Sequence, residues 1–221
     1  LSIDPTSTQT LGNLGMVLHE LGRLADAEDC YRRLLAIDPA LAAVHSNLGS
    51  ILHNLGRAEE AAECYRHALD LSPGLAEAHH DLGNTLKSLG CLDEAAESFR
   101  EAHRLGLGDS RVKAELILPA IMGTRQEVLE SRARFERNLD QLIADRVAIA
   151  DPLRNIGETS FYLAYQGLND RDLQVRLAQF YAQACPSLLH MAAHCATPAP
   201  RPGERVRVGF LSKFLYRHSV S

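Results

Sequence analysis

The sequence predicts a mostly α-helical chain, built from antiparallel helix pairs stacked into a right-handed superhelix. Three observations lead there. The chain falls on itself when shifted by 34 residues, so that Gly15, Gly49 and Gly83 align, as do Ala27, Ala61 and Ala95, and Tyr31, Tyr65 and Phe99. Apolar residues within each copy recur at helical spacing. Glycine and proline punctuate the copies at fixed places, with Gly22, Gly56 and Gly90 in mid-repeat and Pro39 and Pro73 at the ends. A fixed period of this length marks a solenoid.

The middle copy shows how one repeat works. Its first helix, helix A, carries Leu48, Ile51, Leu52 and Leu55 as an apolar stripe. Gly56 ends it, where a left-handed residue meets no Cβ strain. The second helix, helix B, carries Ala61, Ala62, Tyr65, Ala68 and Leu69, and Pro73 stops it. Gly49 and Ala61 are small enough for the two helices to approach closely, and Tyr65 fills the groove between neighbours. One such hairpin cannot bury its apolar face alone, so copies must stack.

This pattern resembles the tetratricopeptide repeat, over three units at 8–41, 42–75 and 76–109. It departs from the family at Leu11, His45 and His79, which stand where an aromatic is common. Ile3-Asp4-Pro5 matches the repeat ends Ile37-Asp38-Pro39 and Leu71-Ser72-Pro73, so residues 1–109 read as three full repeats plus the end of a preceding one, and the chain as an N-terminal fragment.

In such an array helix A lines the concave face, which here offers Asn13, Asn47, His53, Asp81 and Asn84. An amide both donates and accepts, so Asn13 and Asn47 could pair with a passing peptide backbone without reading its sequence. Asp81 takes the third rung and weakens the ladder, since an ionised carboxylate cannot donate. The expected partner is a protein or peptide held in this groove. The alternative is a solvated helix face.

Beyond the repeats, residues 110–196 read as a helical extension. A helix is predicted over Asp109–Met122, with Pro119 late in it as a kink. Thr124 and Glu127 form a capping-box pattern for a long helix to about Arg146, with Val128, Phe135, Leu139, Leu142 and Ile143 as its stripe. Arg132, Arg134 and Arg137 interleave with Glu130 and Glu136, which reads as a solvated, salt-bridged face. The segment 151–168 looks irregular and packed. Asn169 or Asp170 then caps a helix to about Ala184, and Pro186 suits the first turn of another.

Composition sets limits. A net charge of −5 excludes a general nucleic-acid binder, which needs a basic face for phosphates. No apolar run is long enough for a membrane span. Five cysteines show no disulfide logic and suit reduced structural thiols of a cytoplasmic protein. Cys185, His190, His194 and Cys195 lack the spacing of a zinc site, so no metal is expected.

Residues 197–204, TPAPRPGE, form a Pro-rich linker. Residues 205–211, RVRVGFL, then give a convincing strand, with Val206, Val208 and Phe210 alternating.

The order of repeats, FYLAYQGLNDR, ACPSLLHMAAHC, Pro-rich link and RVRVGFLSKFLYRHSV resembles the SPINDLY-type, O-linked N-acetylglucosamine transferase family. The resemblance implies that residues 205–221 begin the N-terminal lobe of a Rossmann-like glycosyltransferase domain. The parent would be an inverting enzyme that moves a sugar from a UDP-sugar, most often UDP-N-acetylglucosamine, to Ser or Thr hydroxyls of proteins. The repeats would hold the acceptor, His218 would line the active site as the catalytic candidate, and no cofactor would bind this stretch, which alone would be inactive. The competing expectation is a non-enzymatic scaffold for protein–protein interaction.

Overall fold

The computed structural model describes residues 8–119, 121–150, 163 and 166–186, all within one compact unit, Leu1–Leu188. Six helices make the three repeats in pairs: α1 (Thr8–Glu20) with α2 (Leu24–Ile37), α3 (Ala42–Asn54) with α4 (Ala58–Leu71), and α5 (Ala76–Ser88) with α6 (Leu92–Arg104). A short α7 (Ser110–Glu115), a long α8 (Arg125–Ala144) and α9 (Arg171–Ala184) follow. Among the described residues there is no strand. The predicted strand at 205–211 and the segment holding Phe161, Tyr162 and Tyr165 lie outside them.

Each A helix closes in the same way. Gly56 adopts φ +79°, its N–H donates to the His53 carbonyl at 3.0 Å, and Arg57 N–H reaches back to the Leu52 carbonyl at 2.9 Å. The last carbonyls of the helix are thereby satisfied, at a position where only glycine takes this backbone without strain. Gly22 and Gly90 repeat the arrangement.

The pairs interlock through a glycine and an aromatic. A Cβ placed on Gly15, Gly49 or Gly83 would lie within 3.0 Å of the ring of Tyr31, Tyr65 or Phe99, respectively. These three rings are 2%, 1% and 0% exposed. The close approach at Gly49 is to the Tyr65 ring, and Ala61 is fully buried. Leu48, Ile51 and Leu52 are buried as the stripe predicts, but Leu55 is 39% exposed because the stripe has turned off the core by the last turn. On the B-helix side Glu28, nearly buried, is neutralised by Arg32 at 2.8 Å and by Arg57 of the next repeat at 2.7 Å.

The histidines in the aromatic positions have a polar task. His45 Nε2 hydrogen-bonds the Pro39 carbonyl at 2.9 Å, and His79 Nε2 the Pro73 carbonyl at 3.1 Å. Each fixes the connection between one B helix and the next A helix. Cys30 is buried and Cys64 half-buried, and both are free thiols.

The extension departs from its prediction at α7, which ends at Glu115 instead of running to Met122. Its residues serve two cores. Ala114 and Ile117 join the repeat core, while Val112 and Leu118 join Phe135, Leu139, Leu142, Leu163, Leu177 and Phe180. Continued as a helix, the chain would put Leu118 on the face of Ala114, four residues before it, yet the two enter different cores. The Thr124 hydroxyl accepts from Glu127 N–H at 3.2 Å, and the Glu127 carboxylate accepts from Gly123 N–H at 2.9 Å, so the predicted start of α8 holds. Arg132 is not solvated: its side chain is 11% exposed and it ties α8 to Asp170 and to the Asn169 carbonyl at the start of α9. Asp170 occupies the cap position of α9 without a side-chain cap bond. Asn169 Oδ1 instead accepts from Arg171 N–H at 3.1 Å.

Candidate functional site: the face of the A helices

The A helices stand side by side and are joined by side chains. The Asn54 amide at the end of α3 donates to His19 Nε2 on α1 at 3.2 Å. On the next step the Thr85 hydroxyl donates to the Asp81 carbonyl at 2.8 Å, so its oxygen is left to accept from His53 Nδ1 at 3.1 Å. One hydroxyl has one proton, which fixes the His53 tautomer. On the last step Lys113 of α7 donates to Asn84 Oδ1 at 2.7 Å and lies 5.6 Å from the centre of the Phe99 ring. His80 Nδ1 meets the Ser110 hydroxyl at 2.7 Å.

Of the predicted groove residues, these bonds engage His53 and Asn84 by their side chains and Asp81 by its backbone carbonyl. Asn13 and Asn47 are exposed one repeat apart. Burial raises the Tyr31 hydroxyl above its ordinary range, with Asn47 opposing the shift. His53 and Asn84 are half-buried and engaged as described. His218 and the Cys185–Cys195 cluster beyond Pro186 lie outside the described residues. Among the described residues no group of His, Cys, Asp and Glu is placed to hold a metal ion, and no helix is long and apolar enough to cross a membrane.

The electrostatics change toward α7. Burial raises the Asp81 carboxyl to about 6, with Lys113 opposing and Glu77 adding to the shift. Burial lowers His80 to about 4; Lys113 pushes the same way and Asp109 the other. Lys113 itself falls to about 8 through burial and the neighbouring Lys87, with Asp81 opposing. At neutral pH His80 is therefore an uncharged hydrogen-bonding ring, and Asp81 is a carboxylate held close to its titration point. A cleft of about 780 Å³ opens beside them, lined among others by Glu77, His80, Asp81, Asp109 and Ile149.

Sequence reasoning missed Thr85, Ser110 and Lys113. Thr85 had a signal, since it replaces the apolar Ile51 of the preceding repeat. Lys113 and Ser110 had none, because the period has faded where they stand.

Comparison with known proteins fits this geometry. Residues 40–107 match a family model described as tetratricopeptide repeat, and residues 15–56 match a second described as TPR repeat. Residues 15–107 are tetratricopeptide repeats. Among solved structures, the crystal structure of MamA superposes with a TM-score of 0.52 at 22% identity, covering 64% of this chain and 82% of that one. At that identity the likeness shows the tetratricopeptide fold alone. The first TPR of Spaghetti (RPAP3), bound to an HSP90 peptide, gives 0.45 at 18% identity, over 64% of this chain and 97% of that one. The Arabidopsis OM64 TPR domain gives 0.44 at 20% identity, over 45% and 82%. No curated protein matches the sequence.

Proposed function

We propose that the A-helix face holds an extended segment of a partner protein, with Asn13 and Asn47 pairing to its backbone and the polar residues around Asp81 reading its side chains. One observation carries the reading. Helices α3, α5 and α7 are braced to one another by His53–Thr85, Asn84–Lys113 and His80–Ser110, which fixes the face in advance. A preorganised face loses little entropy when a peptide docks. The exposed amides then offer paired bonds worth about 0.5–1.5 kcal/mol net each.

The test is a screen of the full chain against displayed peptides, followed by fluorescence anisotropy on those retained. Asn13→Ala with Asn47→Ala should weaken them about tenfold, since 1.4 kcal/mol is a factor of ten. Unchanged affinity would remove the amide rungs from the account.

A second reading is favoured by the tail sequence RVRVGFLSKFLYRHSV. In it the groove is the acceptor-binding arm of a longer glycosyltransferase of the O-linked N-acetylglucosamine transferase type, with His218 lining the active site and a UDP-sugar as donor. Its test is turnover of UDP-N-acetylglucosamine on a protein acceptor by a polypeptide that continues past Ser221. His218→Ala should lower turnover on long and short acceptors alike, whereas the asparagine pair should act only on long ones. Absence of transfer by any such polypeptide would leave the non-enzymatic scaffold.

A further inference from the structure

Three arginines on α8 interleave with glutamates in the sequence, yet only Arg132 finds carboxylates. It pairs with Glu136 at 3.2 Å as well as with Asp170. The remaining carboxylates of α8 have other partners. Glu127 accepts from Gly123 N–H, Glu130 accepts from the Gln126 amide at 2.7 Å, and Asp140 pairs with Arg176 of α9. Arg134 and Arg137 are exposed and make no hydrogen bond or ion pair among the described residues. Both line a cleft of about 520 Å³ between α8 and the start of α6, with Leu92, Pro119 and Met122 as its apolar wall. Ser131 lines the same cleft. It is 8% exposed, and its hydroxyl has no hydrogen-bond partner. A buried hydroxyl without a partner is destabilising, so this one is a donor held without an acceptor.

Ser131, Arg134 and Arg137 follow one another at steps of three residues, which keeps them on one side of the helix. A cleft of this size, with an apolar wall and a few converging donors, has the make-up of a small-molecule site. We propose that it takes a small organic carboxylate, held by the Arg134 and Arg137 guanidiniums and the Ser131 hydroxyl, with its hydrocarbon part against Leu92, Pro119 and Met122. The planar fork of a guanidinium matches a carboxylate. The ligand's charge is limited by the rest of the lining. Asp93 on the first turn of α6, Glu127 and Glu130 also line the cleft. A dianionic phosphate would meet three carboxylates there, whereas two arginines suffice for a monoanion. None of the groove residues of the A helices lines this cleft, so it is separate from the peptide face.

The experiment titrates hexanoate into the full chain and follows backbone amide shifts, with hexanamide as the uncharged probe. Hexanoate should give saturating shifts on Ser131–Arg137 and around Leu92, and hexanamide should give none. Arg134→Gln and Arg137→Gln should each weaken hexanoate about tenfold. Ser131→Ala should weaken it about threefold. The same variant should leave the melting temperature of the free chain equal or higher, because the hydroxyl it removes had no partner. A serine with a purely structural role would instead lower the melt and leave hexanoate alone, which would overturn the proposal. Equal shifts from hexanamide, unchanged affinity in both arginine variants, or no saturation with hexanoate would overturn it as well. A blocked peptide, acetyl-Leu-Glu-Leu-amide, supplies the last arm. Binding at least about tenfold tighter than hexanoate would make the acidic side chain of a partner protein the occupant, and the small-molecule assignment would fall.

Discussion

The repeats and the extension solve the same packing problem by different means. In the repeats a glycine on one helix receives an aromatic ring from its partner, three times over, at Gly15–Tyr31, Gly49–Tyr65 and Gly83–Phe99. The contact is between residues sixteen apart and is written locally. In the extension the core is made of larger side chains from distant stretches, with Phe135 and Leu139 of α8 against Leu177 and Phe180 of α9. Register there is assisted by charge. Arg132 pairs with Asp170, Arg111 with Asp145, and Arg176 with Asp140, each across more than thirty residues of chain. The lesson is that a solenoid fixes its geometry by shape within one period, whereas the segment that ends it needs long-range polar contacts to choose one arrangement.

The largest expected effect lies in the repeats. Tyr65→Ala empties the gap beside Gly49 and should cost about 3–5 kcal/mol, read by chemical denaturation. It should loosen both flanking pairs, because solenoid stability is a sum of nearest-neighbour terms. An unchanged midpoint would mean that the ring does not set the pair. In the extension Arg132→Ala should cost less, about 1.5–3 kcal/mol for hydrogen bonds to a charged group. It should lower protection of α9 against hydrogen exchange and leave α1–α6 as they were. Loss of protection in the repeats would show that the two regions are not separately braced.

A finer test uses the glycines. An added Cβ would sit 2.7 Å from the Phe99 ring at Gly83, 2.9 Å from Tyr31 at Gly15 and 3.0 Å from Tyr65 at Gly49. Overpacking costs about 1–3 kcal/mol, and alanine returns about 1 kcal/mol of helix propensity. Gly83→Ala should therefore destabilise most and Gly49→Ala least. The reverse order in a set of melts would contradict the contact geometry.

The smallest effect is in pH. The Asp81 carboxyl is raised to about 6 from 3.8, so the folded chain binds the extra proton and stability falls as pH climbs from about 4 to 6. His80 is lowered to about 4 from 6.5, so the unfolded chain binds the extra proton and stability rises over nearly the same window. The two oppose each other, and the native chain should respond weakly. Asp81→Asn should expose the rise with pH, and His80→Gln the fall. Urea midpoints at pH 4, 5 and 6.5 that move alike in both variants would break this assignment.

Much of this was legible in the sequence, for reasons the structure makes plain. The helix pairs, their glycine closures and the Tyr65 lock depend on spacing within one period, and spacing is what a sequence displays. The start of α8 was readable because Thr124 and Glu127 are neighbours in the chain. The early end of α7 was not, since it follows from Ala114 and Leu118, which one continued helix would put on the same face, belonging to two different cores. Arg132 was misread as solvated because its partner Asp170 is thirty-eight residues away. In the groove, Asn13, Asn47, His53, Asp81 and Asn84 stood out by position. The bracing by Lys113 and Ser110 comes from outside the repeat and left no trace in its period.

The central claim is that partner peptides lie along the A helices. Backbone amide chemical shifts of the full chain, recorded while a peptide retained in the screen is titrated in, test it most directly. The account predicts shifts that saturate together on α1, α3 and α5 around Asn13, Asn47 and Asp81, with α2, α4 and α6 little changed. Shifts concentrated on the B helices, around Arg33 and Arg66 for example, would contradict it.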